Sequence, residues 1–392
     1  MISYRSLTKH IYPNFVTYCC YRLYNCYFIY ESFRFTIHLL VDLCRTVLKN
    51  NHLEQRNLSK KSEIRFTRHT TINLFNNYGK PMYFIKKEGS DLNSSISLKN
   101  EVWFYKYIQR KELPEIRESV PNFFIYDNKS KMLILENLYN FETLHDNIER
   151  HSGFSRHVIE NLARTIAYIH GMTNLLFHEG HKYVPHFYSN IPHFEKITPE
   201  ILANNNDAFI EMLEIIHSDD KINESLESLR TLGKYCLIHG DLKFDNILIT
   251  KYENKIPLKL IDWELCGWGN PVVDLGTIIG NYLLLWARSI RLKKNQSLQN
   301  SIKNSKITFM ELTIAINYFL KIYKECMKGY SPNFPSISIS DIIRYSGLFI
   351  LLFVYGDLKA TYRLSSKGVL LLSLSKTLLT KAHYATKLLN IK

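Results

Sequence analysis

The chain has 392 residues, 46% of them hydrophobic, with 50 Lys+Arg against 36 Asp+Glu and a formal net charge of +14. Such a length exceeds one small domain and fits two or three structural units around a sizeable core, and the composition excludes a disordered or fibrous chain. The cation excess favours anionic partners such as phosphates, although the charges are scattered along the sequence rather than clustered.

Residues 1–60 form an aromatic, Cys-rich and basic extension. Its start, "MISYRSLTKHIYPNFVTYCCYR", breaks with charges and Pro13 the apolar run that a signal peptide needs. The stretch "FRFTIHLLVDLCRTVLKN" (33–50) spaces Phe33, Ile37, Leu40, Val41, Cys44 and Leu48 as one face of a helix. Packing of that face on the following domain is the ordinary use; weak peripheral contact with a membrane surface is the alternative. Next, "EIRFTRHTTINLF" reads as one strand and "MYFIKK" as another, joined by the turn signal "NNYGKP". A helix, "SLKNEVWFYKYIQRKEL", precedes the strands "NFFIYDN" and "KMLILENL" around a turn at Asp127–Lys131, so this region is a small mixed sheet with one helix. Helices dominate after Asn140. "SRHVIENLARTIAYIHGM" places Val158, Leu162, Ile166 and Ile169 on one face, and another helix covers about 207–230. Short strands at 246–250 and 257–262 bracket "KYENK", and helices follow at 273–290, 307–329, 340–359 and 367–390. The longest apolar run there, Tyr345 to Gly356, is too short to cross a bilayer, so no transmembrane segment is expected. Seven cysteines include no C-x-x-C and no Cys/His group at zinc-ligand spacing, which implies free thiols in a reducing, cytoplasmic setting.

The chemistry concentrates in "LIHGDLKFDNILI" and "LKLIDWELCGWGNPVVDLG". A buried unpaired carboxylate costs several kcal/mol (about 2–7 for a polar group, more for a charge), so His239, Asp241, Lys243 and Asn246 between two apolar runs either face solvent at a turn or have a function. Two apolar strands in a hairpin bring Asn246 and Asp262 together at its base. One amide and one carboxylate are few ligands, which suits Mg²⁺, an ion that keeps waters and shares substrate phosphates. Asp241 then stands on a loop, placed to accept a hydroxyl proton. His-x-Asp-x-x-x-x-Asn alone is a weak signal. Lys86 at the end of "MYFIKK" and Glu101 on the next helix add the strand lysine and helix glutamate that orient an ammonium toward nucleotide phosphates.

On these residues the chain resembles the aminoglycoside phosphotransferase and choline kinase-like family, over roughly 62–360. Gly240 after His239, and Trp263-Glu264 after Asp262, separate it from protein kinases proper, as does the lack of A-P-E. The resemblance implies an α+β, bilobal protein-kinase-like fold: a small β-rich N-lobe with one main helix (61–140) and a larger α-helical C-lobe (141–392), behind the 1–60 extension. It further implies ATP and Mg²⁺, with Asp241 as catalytic base, Asn246 and Asp262 as metal ligands, and Lys86 with Glu101 at the nucleotide. His239 buttresses the loop, Lys243 reaches the γ-phosphate, Asp274 is a structural acid, and main-chain groups near Glu136 and Leu138 meet the adenine edge. A departure from the pattern is the glycine-free "TRHTTIN" (67–73) at the phosphate-loop position.

The expected activity is transfer of the γ-phosphoryl of Mg-ATP to a small-molecule hydroxyl. From Asn270 onward there are 17 Lys+Arg and 5 Asp+Glu, which disfavours a polycationic aminoglycoside as natural acceptor. The alternatives are an atypical protein kinase and a nucleotide-binding pseudokinase scaffold. No nucleic-acid motif accompanies the basic composition.

Overall fold

Alternating apolar and polar residues between Leu58 and Glu136 build a sheet of five strands: β1 (Leu58–Phe66), β2 (Thr70–Asn76), β3 (Pro81–Lys87), β4 (Phe123–Asp127) and β5 (Met132–Glu136), in the order β1-β2-β3-β5-β4. The computed structural model describes residues 38–53, 58–66, 69–110, 113–151, 153–177, 191, 194, 199, 206–250 and 258–391. It divides into one unit formed by the chain up to Ser95 with Phe123–Asn137, and another formed by Ile96–Asn122 with Leu138 onward.

In the first unit every strand pairing is antiparallel, so the sheet is not the mixed one expected. Hairpins join β1 to β2, β2 to β3 and β4 to β5, and a hairpin can only return antiparallel; β3 and β5, separated by helices and β4, run antiparallel as well. Nor is 63–75 a single strand. The chain reverses between Phe66 and Thr70, so the expected phosphate-loop stretch 67–73 is mostly strand β2; Thr67 and Arg68 lie outside the described residues. No Gly or Pro signals this reversal. His69 is buried, and its Nδ1 lies 3.0 Å from Ser94 Oγ, which also accepts from the Gly89 N–H at 2.7 Å. The β2–β3 turn does follow its sequence signal: Gly79 sits at φ +78°, and Asn76 Oδ1 accepts from the N–H groups of Tyr78 and Lys80 at 3.0 and 2.8 Å.

Helix α1 (residues 38–50) packs on one face of this sheet. Val41, Cys44, Val47 and Leu48 are buried with Ile72, Leu74, Tyr83, Ile85, Met132 and Ile134. The apolar stripe of α1 therefore belongs to the core and is not presented to a membrane; burial pushes the Cys44 thiol up to about 12. Phe33 and Ile37 lie outside the described residues.

The second unit begins at Ile96 within α2 (Leu92–Arg110) and continues with α3 (Pro114–Glu118), then β6 (Phe141–Thr143), α4 (Leu144–His151) and α5 (Arg156–Phe177). Asp207–Arg230 is two helices, α6 (Asp207–His217) and α7 (Asp220–Arg230), because Asp219 leaves the helix to cap the second with an N–H bond from Lys221. Two small sheets follow: β7 (Cys236–Ile238) with β10 (Gly267–Gly269), and β8 (Ile247–Thr250) between β6 and β9 (Leu258–Leu260). The remainder is helical: α8 (Val272–Ser289), α9 (Leu298–Lys303), α10 (Phe309–Tyr330), α11 (Ile339–Thr361), α12 (Ser366–Thr380) and α13 (Ala382–Leu388).

Helix α8 is apolar all round and buried from Val272 to Ala287. Its glycines permit close approach of α11: a Cβ on Gly276 would stand 2.6 Å from Tyr345 Cβ, and one on Gly280 2.6 Å from Phe349 Cδ1. Helix α11 extends beyond the apolar run read from the sequence and, by length and composition, is the one described helix able to cross a membrane; half of its apolar window is buried inside the protein.

Candidate active site

The second unit holds its polar chemistry where β7 ends. Apolar Cys236–Ile238 is buried as a strand paired with Gly267–Gly269, and the chain then turns at Gly240, with φ +83°. That conformation is strained for a residue with a Cβ, which accounts for glycine at this place. The turn is held from below by Asp274, in the first turn of α8. Its Oδ2 accepts the His239 N–H at 2.8 Å and its Oδ1 the Gly240 N–H at 3.0 Å. His170 Nε2, on α5, donates to the same Oδ2 at 3.1 Å, and His170 Nδ1 lies 2.9 Å from the Tyr323 hydroxyl of α10. Burial would raise the Asp274 carboxyl, but the His170 hydrogen bond, the nearby His170 and His239, and the His239 N–H hold it below its ordinary value.

His239 braces the loop from the side. Its Nδ1 accepts the Asp241 N–H at 3.3 Å, so Nε2 carries the proton that it donates to the Ile261 carbonyl at 2.9 Å. Asn246, on a short 3₁₀ turn (Phe244–Asn246), donates Nδ2–H to the Asp241 carbonyl at 2.8 Å and to Asp241 Oδ2 at 3.1 Å. A carbonyl can only accept, so the amide nitrogen faces Asp241 and Oδ1 is turned away as a neutral oxygen donor. Lys243 Nζ lies 2.7 Å from Asp241 Oδ2. Its burial would lower the ammonium, yet the Asp241 charge and hydrogen bond raise it above its ordinary value, so it remains a cation.

The hairpin expected from the sequence is present: Ile247 pairs with Leu260, and the Ile261 N–H reaches the Asn246 carbonyl at 3.0 Å. Asp262 follows at φ +68°, ψ +55°. A non-glycine residue in this left-handed region costs of order 1–3 kcal/mol and persists only where its surroundings impose it. They do. Trp263 is fully buried, donates Nε1–H to the Leu260 carbonyl at 3.1 Å, and stacks on Phe104 of α2 with centroids 3.7 Å apart. Asn100 Nδ2 reaches the Glu264 carbonyl at 3.4 Å, and Cys266 Sγ donates to the Asn100 carbonyl at 3.6 Å. Glu101, next on the same helix, is 1% exposed. Burial drives the Tyr105 phenol well up, with the Glu101 and Asp262 carboxylates adding to it.

Of the residues expected at the site, His239, Asp241, Lys243, Asn246, Asp262 and Asp274 are thus joined by short main-chain and side-chain links in the second unit. Glu101 belongs to that unit too, as does Leu138, whose carbonyl accepts the Phe141 N–H at 3.0 Å. Lys86 and Glu136 belong to the first. Lys86 is 7% exposed in β3, registered against Thr71 and Leu133, and alternation puts it on the opposite sheet face from Tyr83 and Ile85. Glu136 ends β5 opposite Tyr83.

Sequence reasoning missed His170, Tyr323 and Phe104. One signal was available for the first: a histidine beside the apolar stripe of α5 is a polar group that must find a partner if buried. Among the described residues no group of three His, Cys, Asp or Glu gathers to hold a metal. A divalent ion here would have two hard oxygen donors, Asn246 Oδ1 and the Asp262 carboxylate. That set fits Mg²⁺ completed by water and phosphate, and does not fit zinc.

Comparison with known proteins bears on the family and the fold. Residues 142–292 match the phosphotransferase enzyme family. The chain is 31% identical over 101 residues to acyl-CoA dehydrogenase family member 11 of Mus musculus, covering 26% of this chain and 11% of that protein. It is 28% identical over 231 residues to 4-hydroxytryptamine kinase of Psilocybe cyanescens, covering 55% of this chain and 62% of that one. The chain therefore spans about a tenth of the first relative's length and less than two thirds of the second's. Choline kinase from Cryptosporidium parvum superposes with a TM-score of 0.53 at 11% identity, over 89% of this chain and 97% of that one. The fold is α+β and kinase-like, and the resemblance to aminoglycoside phosphotransferases and choline kinases stands.

Proposed function

From a chain whose residues 142–292 carry the sequence of the phosphotransferase enzyme family, we propose a small-molecule kinase that moves the γ-phosphoryl of Mg-ATP to a substrate hydroxyl. The observation that carries this is the hydrogen-bonded set Asp241–Asn246, continued through the Asn246–Ile261 main-chain link to a strained Asp262. The name of the relative 4-hydroxytryptamine kinase supports a small hydroxyl acceptor.

In this mechanism Asp241 accepts the acceptor's hydroxyl proton as the oxygen–phosphorus bond forms and the bond from the γ-phosphorus to its bridging oxygen breaks, releasing ADP. Asn246 and Lys243 both donate to Oδ2, so Oδ1 is the oxygen left to face the hydroxyl. Asn246 Oδ1 and Asp262 are the residues that would hold Mg²⁺, which would supply neutralisation of the phosphate charge. Lys243 would exchange its contact with Asp241 for the γ-phosphoryl oxygens, and Lys86 and Glu101 keep their assignment to the nucleotide. His239 and Asp274 keep the loop in place. The acceptor is not a polycationic aminoglycoside, given the 17 Lys+Arg against 5 Asp+Glu from Asn270 onward. The free thiols of the described cysteines suit a reducing cytoplasm.

The test is ADP release and mass-spectrometric detection of phosphorylated product across a library of small hydroxyl compounds, comparing wild type with Asp241→Asn. Product from the wild type alone supports the assignment. Equal background ADP from both proteins, with no phosphorylated compound, leaves a nucleotide-binding scaffold instead.

A further inference from the structure

A second chemistry lies at the far end of α8 from Asp274, about 20 Å along that helix at 1.5 Å per residue. Residues 287–294 and 353–367 carry seven Lys or Arg and one acid, Asp357. Two contacts bring these segments together. The Arg288 guanidinium lies 5.8 Å over the Phe353 ring, and Lys367 Nζ donates to the carbonyls of Ala287, Arg288 and Ile290. Lys367 is thereby used up in closing the C-terminus of α8. Arg288, Arg291, Lys293, Lys294 and Arg363 remain exposed around it. Among these cations stand three exposed apolar side chains: Leu292 at 39%, Phe353 at 36% and Tyr362 at 72%. Phe353 projects from α11, the helix whose apolar window is only half buried.

Single exposed apolar side chains are common on a soluble surface, but three of them interspersed with five exposed cations in these two segments favour a partner with both apolar and anionic parts. Nucleic acid would use the cations, and the rings by stacking, but has nothing for Leu292. Interspersed cations, aromatic rings and an aliphatic side chain are what the boundary layer of an anionic bilayer accommodates: rings and aliphatic groups at headgroup depth, ammonium and guanidinium groups on the phosphates. We propose that this end of the second unit docks on an anionic lipid surface, with Leu292, Phe353 and Tyr362 entering the interfacial layer and Arg291, Lys293, Lys294 and Arg363 meeting the headgroups. The docking is peripheral, because the buried side of α11 stays packed in the protein. It does not depend on the kinase assignment.

Sedimentation of the full chain with phosphatidylcholine vesicles, with and without phosphatidylserine, tests this. Two surface variants accompany the wild type: Arg291→Glu with Lys293→Glu and Lys294→Glu, and Leu292→Ser with Tyr362→Ser, each checked by thermal melt to be folded. The wild type is expected to pellet only with phosphatidylserine and to be released by salt. The charge reversals should lower its partitioning more than about tenfold, and the apolar variant should lower it without changing the salt dependence. Absence of binding to phosphatidylserine vesicles overturns the proposal, as does binding that survives the charge reversals. Binding to duplex DNA that is tighter than to vesicles and indifferent to Leu292→Ser with Tyr362→Ser also overturns it, in favour of nucleic acid.

Discussion

Asp274 does its work without touching any reacting group. One buried carboxylate takes two successive main-chain N–H groups and a histidine, and so sets the direction in which Asp241 leaves β7. Because its folded-state pKa is depressed, its contribution to stability is fully present above the ordinary carboxylate range and is lost as pH falls through the folded value. The melting-temperature gap between wild type and Asp274→Asn should therefore be constant from neutrality to about pH 4 and shrink below that. Replacing His170 by Phe leaves this carboxylate short of a donor and should cost about 1–3 kcal/mol by denaturant unfolding at neutral pH. Asp241 itself is expected to matter to rate and not to stability: Asp241→Asn should lower kcat by about 10²–10⁴ with little change in melting temperature. That Asp241, Asn246 and Asp262 lie close together was legible in the sequence because their spacing is local, within one loop and one hairpin. His170 and Tyr323 were not, since neither helix announces what it meets.

At the scale of elements, α2 and the segment after Asp262 are one mechanical piece. The Phe104–Trp263 stack, the Asn100–Glu264 bond and the Cys266–Asn100 contact fasten the helix that bears Glu101 to the turn that bears Asp262. Removing the ring by Phe104→Ala should destabilise the protein by about 3–5 kcal/mol, and by loosening Asp262 should raise the Mg²⁺ concentration needed for half-maximal rate. Helix α8 shows the same dependence on close contact: with Tyr345 Cβ 2.6 Å from the place of a Cβ on Gly276, Gly276→Ala should cost about 1–3 kcal/mol. Helices and strands were readable from periodicity, but their breaks were less so. Between the paired Phe66 and Thr70 the chain reverses beside a buried His69 that meets Ser94, and at Ser218–Asp219 a side-chain cap starts the next helix; neither break leaves a glycine or proline in the sequence.

For the whole molecule, the proposed activity links ligand to folding. Mg-ATP at roughly a hundred times its Kd should stabilise the protein by about 2.7 kcal/mol. The resulting rise in melting temperature should vanish with EDTA and be much smaller in the double variant Asn246→Ala, Asp262→Asn. An unchanged rise in that variant would separate nucleotide binding from these two oxygens. The net charge of +14 acts at this scale as well, through attraction of phosphate-bearing partners, and it bears on the acceptor's charge and not on the fold.

Local spacing was enough to determine which residues the loop and the hairpin bring together and the succession of sheet and helices, because turn geometry, hairpin register and helical period all act over a few residues. Only the tertiary structure decided how those groups are held: a histidine on α5 and a tyrosine on α10 beneath the loop, a tryptophan seated on the phenylalanine of α2, and the apolar stripe of α1 given to the sheet. The physical reason is that burial makes a polar or apolar group seek whichever partner the folded chain brings within reach. For His170 that partner is 104 positions away along the chain.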